Sequence, residues 1–81
     1  MTKNINIQYF AILQDQRGLS SENYRTEVHN AAELYAELQE AYQLKQSTRH
    51  LKVAVNDEFA DWQRELQNGD KVVFIPPVAG G

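Results

Sequence analysis

The chain contains no cysteine, so it has no disulfide to staple it, no thiolate to hold a metal and no thiol nucleophile. That absence fits a reducing compartment, and a cytoplasmic location is expected. Long apolar runs are missing too. None approaches the ~18 residues of a membrane helix, and residues 1–4 are too short and polar for a signal peptide, so no membrane association is expected. Basic charge is in deficit, with 8 Lys and Arg against 11 Asp and Glu and a net charge of −3. Such a surface is poorly suited to neutralising phosphates, which excludes a typical nucleic-acid binder. At 81 residues there is room for one small core and no second domain. Proline is scarce: the only two stand side by side at Pro76-Pro77, and two of the four glycines form Gly80-Gly81.

What is present falls into short periodic pieces. Ile5, Ile7 and Tyr9 alternate with Asn6 and Gln8, the pattern of a half-buried strand. Phe10-Ala11-Ile12-Leu13 breaks that alternation and reads as a short helical turn ending near Gly18, with residues 19–23 as a surface loop. Tyr24, Thr26 and Val28 predict a second strand, polar on one side, that pairs antiparallel with the first and lies at an edge. Asn30 is a favoured N-cap with Glu33 three residues on. Ala31, Leu34, Tyr35, Leu38, Ala41 and Tyr42 then form one stripe of 3.6-residue period, predicting a helix that ends near Leu44 or Lys45. Leu51, Val53 and Val55 predict a third strand, Asn56-Asp57-Glu58 a tight turn, and Phe59 the start of a short returning strand. Trp62 and Leu66 are anchors in an otherwise polar segment before the Asn68-Gly69-Asp70 turn.

The last strand, residues 71–75, is apolar on both sides, with Val72 and Phe74 facing one way and Val73 and Ile75 the other. Such a run predicts a central strand, part of whose apolar surface remains open to a partner. Phe10, Val73, Phe74 and Ile75 are the candidate interface residues. Beyond them, Pro76-Pro77-Val78-Ala79-Gly80-Gly81 combines a φ-restricted start with a side-chain-free end. The expected division is a domain over residues 1–75 and an extended tail over 76–81, thin enough to thread a narrow channel. The expected reactive group is the Gly81 carboxylate.

This succession, β-β-α-β-β with Gly-Gly after the last strand, resembles the ubiquitin-like β-grasp proteins, and within them the family of molybdopterin synthase small subunits. Tyr9-Phe10-Ala11-Ile12-Leu13, Val53-Ala54-Val55-Asn56, Leu66-Gln67-Asn68-Gly69-Asp70-Lys71-Val72 and the tail carry the likeness. The resemblance implies an α+β fold, with one main helix packed on one face of a mixed sheet and an extended C-terminal tail. It implies a sulfur carrier that is not catalytic alone. A ubiquitin-activating-like enzyme would adenylate Gly81, consuming ATP, and a sulfur donor enzyme would convert it to a thiocarboxylate. The large subunit of a heterotetrameric synthase would then take in residues 76–81, with sulfur passing into the dithiolene of molybdopterin. No permanently bound cofactor or metal is implied. A carrier for thiamine thiazole formation or tRNA thiolation shares the fold and ending, and a non-catalytic β-grasp interaction module is a third reading.

Other charged residues call for no chemistry. His29 and His50 have no ligand-spaced partners, and Glu58, Asp61 and Glu65 read as a solvated acidic face. Lys45, Arg49 and Lys52 form a small basic cluster that reads first as surface charge and only second as a match for an acidic partner patch.

Overall fold

A computed structural model describes residues 2–76. Strand β1 (Lys3–Tyr9) leads into the short helix α1 (Ala11–Arg17) and returns as β2 (Ser21–Thr26). Helix α2 (Ala31–Tyr42) follows, then a 3₁₀ turn (Thr48–His50), β3 (Lys52–Val55), β4 (Glu58–Ala60) and β5 (Lys71–Ile75). The strands form one sheet in the order β2-β1-β5-β3-β4. β1 and β5 are parallel and every other neighbouring pair is antiparallel. With the long helix covering one face, this is a ubiquitin-like β-grasp.

The predicted hairpin, edge strand and central strand are all present, with adjusted limits. β2 begins at Ser21, inside the expected loop, because Glu22 pairs across from Ile7 and Ser21 from Gln8. A carboxylate can sit on that face because Arg17 Nη2 donates to Glu22 Oε1 at 2.8 Å and Tyr9 Oη donates to Glu22 Oε2 at 2.6 Å. The Arg17 guanidinium also stacks 3.7 Å from the centre of the Tyr42 ring, so one cation ties α1 to both β2 and α2.

α2 starts as the sequence predicts. The Asn30 side chain accepts from Glu33 N–H at 2.8 Å, and Glu33 Oε1 in return accepts from His29 N–H at 2.8 Å. It stops sooner than expected, at Tyr42, with Gln43 in the left-handed region at φ 56°. Ala41, counted in the apolar stripe, is exposed in that last turn.

The register explains the core. One row across the sheet reads Tyr9, Phe74, Val53 and Ala60; the next reads Gln8, Val73, Ala54 and Phe59. Since side chains alternate sides along a strand, the first row meets α2 and the second faces away. Ile5, Ile7, Leu13, Leu34, Leu38, Val55, Leu66 and Val72 complete the helix-side core. Phe74 sits at its centre, stacked with Trp62 at 5.9 Å and edge-on to Tyr35 at 5.2 Å. Among the described residues, no helix is long and apolar enough to cross a membrane.

Candidate functional site

The second row is the candidate site. α2 covers only one face of the sheet, so the other face keeps its apolar residues open. Val73 lies in the middle, flattened between its neighbours and only 8% exposed. Phe59 rises one strand further on, past Ala54, at 75% exposed, and Phe10 closes the far side at 48%. Together with Gln8, Ala54, Asp57, Lys71 and Ile75 they line a shallow groove of ≈ 290 Å³. A contiguous apolar patch on so small a domain is the ordinary mark of a protein contact.

Local chain geometry sets this patch. Val55 and Glu58 pair across a two-residue turn in which Asn56 and Asp57 both take positive φ, 53° and 73°. That geometry is the type I′ hairpin, which sends the chain straight back and sets Phe59 opposite Ala54. The turn is pinned from β5. Lys71 N–H donates to Asn56 Oδ1 at 3.0 Å, Asn56 Nδ2 donates to the buried Asp70 at 2.9 Å, and Lys71 Nζ lies 2.6 Å from Asp57 Oδ1. Phe10 is held at the N-terminus of α1 in extended backbone, followed by Ala11 at φ 51°. A positive φ is costly for a residue with a Cβ, so the tight β1–α1 corner that presents Phe10 carries local strain.

The sequence-predicted residues therefore divide. Phe10, Val73 and Ile75 are brought together on the open face. Phe74 is not: it is 0% exposed and belongs to the core, because the alternation that turns Val73 outward turns its neighbour inward. Pro76 is buried beside Ile75. Pro77, Val78, Ala79, Gly80 and Gly81 lie outside the described residues. Sequence reasoning did not place Phe59 and Ala54 on the open face, where Phe59 is exposed and Ala54, largely buried, lines the groove. The Asn-Asp turn was the available signal, since a two-residue hairpin aligns them by counting.

Comparison with known proteins extends this picture. The model of the ThiS family matches residues 7–81. The molybdopterin synthase sulfur carrier subunit of Mycobacterium tuberculosis is 32% identical over 81 residues, covering 95% of this chain and 96% of that one. Among solved structures, the Haloferax volcanii HVO 2177 protein superposes with a TM-score of 0.80 at 24% identity, over 99% of this chain and 88% of that one. That likeness speaks for the fold alone. A chain in the protein–protein complex of subunits 1 and 2 of molybdopterin-converting factor from Helicobacter pylori is also similar. Its TM-score is 0.65 at 29% identity, over the full length of both chains.

Proposed function

The chain belongs to the ThiS family, and from that membership we propose that it is a ubiquitin-like sulfur carrier, acting as the small subunit of a molybdopterin synthase. The observation that carries the pathway is the end-to-end 32% identity with a molybdopterin synthase sulfur carrier subunit. The similarity to a chain solved in complex with a second subunit supports a large-subunit partner.

In this reading the Gly81 carboxylate attacks the α-phosphorus of ATP on an adenylating enzyme, giving an acyl-adenylate and releasing pyrophosphate. A carboxylate is a poor acyl donor, and adenylation supplies the leaving group it lacks. Sulfur at the sulfide level, delivered by a donor enzyme, then attacks the acyl carbon. AMP departs and a thiocarboxylate remains. A chain without cysteine has no persulfide route of its own, which fits a thiocarboxylate as the carried form. Two such carriers would supply the two sulfurs of one dithiolene, with acid-base groups coming from the large subunit. Phe10, Ala54, Phe59, Val73 and Ile75 form the surface by which partners grip the body.

Intact mass spectrometry after incubation with an adenylating enzyme, ATP and a sulfur donor tests the chemistry. The expected gain is that of one oxygen replaced by sulfur at Gly81. No gain with a competent enzyme overturns the carrier reading. The match to the ThiS family keeps a carrier for another thiolation pathway as the second reading. Thiocarboxylated protein that gives no dithiolene product with a molybdopterin synthase large subunit would favour it. A chain extended beyond Gly81 that stays uncleaved and active would favour a plain interaction module.

A further inference from the structure

The open face runs into a second cleft of different chemistry. Its volume is ≈ 470 Å³, and Leu51, Phe59, Ile75 and Pro76 give it an apolar lining. The remaining lining residues are Arg49, His50 and Lys52, with no carboxylate among them. For a chain of net charge −3 this is a local inversion of sign.

The basic groups stand on fixed backbone. In the 3₁₀ turn, Ser47 Oγ accepts from Arg49 N–H at 3.1 Å, and His50 N–H donates to the Ser47 carbonyl at 2.9 Å. The buried Leu51 anchors the turn to the core, and Lys52 is paired in register with Ile75. Among the described residues, neither Arg49 nor Lys52 takes part in an ion pair. Of the nearby carboxylates, Asp57 holds Lys71, while Asp61 accepts from Gln63 N–H and lines an adjoining groove that shares Leu51, Lys52 and Phe59 with the cleft.

We propose that this cleft receives an acidic, extended segment bearing an aliphatic side chain, contributed by the protein that takes up the C-terminal residues. The aliphatic group fills the lining of Leu51, Phe59 and Ile75, and the flanking carboxylates meet Arg49 and Lys52. Phe59 and Ile75 line this cleft and the open-face groove alike, so a single partner can occupy both without a break. The naming of that partner rests on the carrier reading; the chemistry of the cleft does not. Complementary charge of this kind acts mainly on encounter rate and register, so its signature is salt dependence.

Two measurements test it. In the first, the isotope-labelled chain is titrated with a synthetic peptide of alternating glutamate and leucine, and separately with its lysine-for-glutamate counterpart. The acidic peptide is expected to shift the amides of Arg49, Leu51, Phe59 and Ile75, and the basic one to leave them in place. Equal responses, or none, overturn the proposal. In the second, calorimetric affinity for a molybdopterin synthase large subunit is followed over a salt series. The Arg49→Glu, Lys52→Glu double variant, checked for native circular dichroism, should bind roughly tenfold more weakly at low salt and lose most of the salt slope. An unchanged slope overturns the proposal even where the native chain binds well. Failure of the native chain to bind that subunit counts instead against the pathway, and the peptide titration then decides the cleft alone.

Discussion

Phe74 and Phe59 belong to adjacent cross-strand rows, yet the structure assigns them opposite duties, and substituting each in turn separates core from contact surface. Phe74 is fully buried and has two aromatic neighbours, Tyr35 and Trp62. Phe74→Leu keeps an apolar side chain but gives up both ring contacts, each about 0.5–1.5 kcal/mol, and leaves a partial void. About 2 kcal/mol is expected, against a total of roughly 4–12 kcal/mol for 81 residues at about 0.05–0.15 kcal/mol each. Phe59→Ala, at 75% exposed, should cost less than about 1 kcal/mol. Urea unfolding followed by the fluorescence of the single tryptophan, Trp62, reads both. At a slope of about 1 kcal/mol per molar urea, Phe74→Leu should lower the midpoint by about 2 M and Phe59→Ala by less than half of that. Binding to the large subunit should show the reverse order, with Phe59→Ala the weaker binder. Equal midpoint shifts for the two variants, or intact binding by Phe59→Ala, would refute this division of the sheet into two faces.

Three further outcomes are expected. Burial raises the pKa of Glu22, but its hydrogen bonds from Arg17 and Tyr9 outweigh that and hold it below the usual 4.5. A depressed carboxyl contributes stability above its unfolded pKa and loses it as pH falls through the folded one; the urea midpoint should therefore drop below about pH 4.5, and Glu22→Gln should flatten that step. Gln43 occupies a left-handed helix C-cap at φ 56°, so Gln43→Gly should raise stability by up to about 1 kcal/mol, while Asn30→Ala at the other end should lower it by about 1 kcal/mol, both read as melting shifts. Deleting Gly81 should abolish sulfur transfer in the mass assay with an unchanged melting temperature, whereas Ile75→Asp, on the open face, should weaken partner affinity while the protein still folds.

The parts of the fold that were legible in the sequence are those where one physical cause dominates. The cap pair Asn30 and Glu33, the stripe through Leu34, Tyr35 and Leu38, and the alternation in β1 and β3 each follow from a single periodicity. Legibility fails where two causes compete. Glu22 reads as a loop residue until Arg17 and Tyr9 satisfy it inside a strand. Ala41 has the right spacing for burial, yet the helix runs past the edge of its support. For β5 the alternation of Val72, Val73, Phe74 and Ile75 was evident, but not which side the single long helix would cover. That choice is set by the parallel pairing of β5 with β1, a contact between residues more than sixty positions apart. That long-range pairing turns Phe74 into the core and leaves Phe59 exposed on the opposite face.

The placement of β5 has a mechanical consequence. A pull applied beyond Pro76 enters this strand along its length, where it is bonded to β1 on one side and β3 on the other. To yield, the strand would have to slide, breaking both ladders together; it could not peel away bond by bond as an edge strand would. On the carrier reading proposed above, a partner that takes up the C-terminal residues would pull against a stiff body. The same geometry should make the domain slow to be unravelled by any machine that engages it from its C-terminal end.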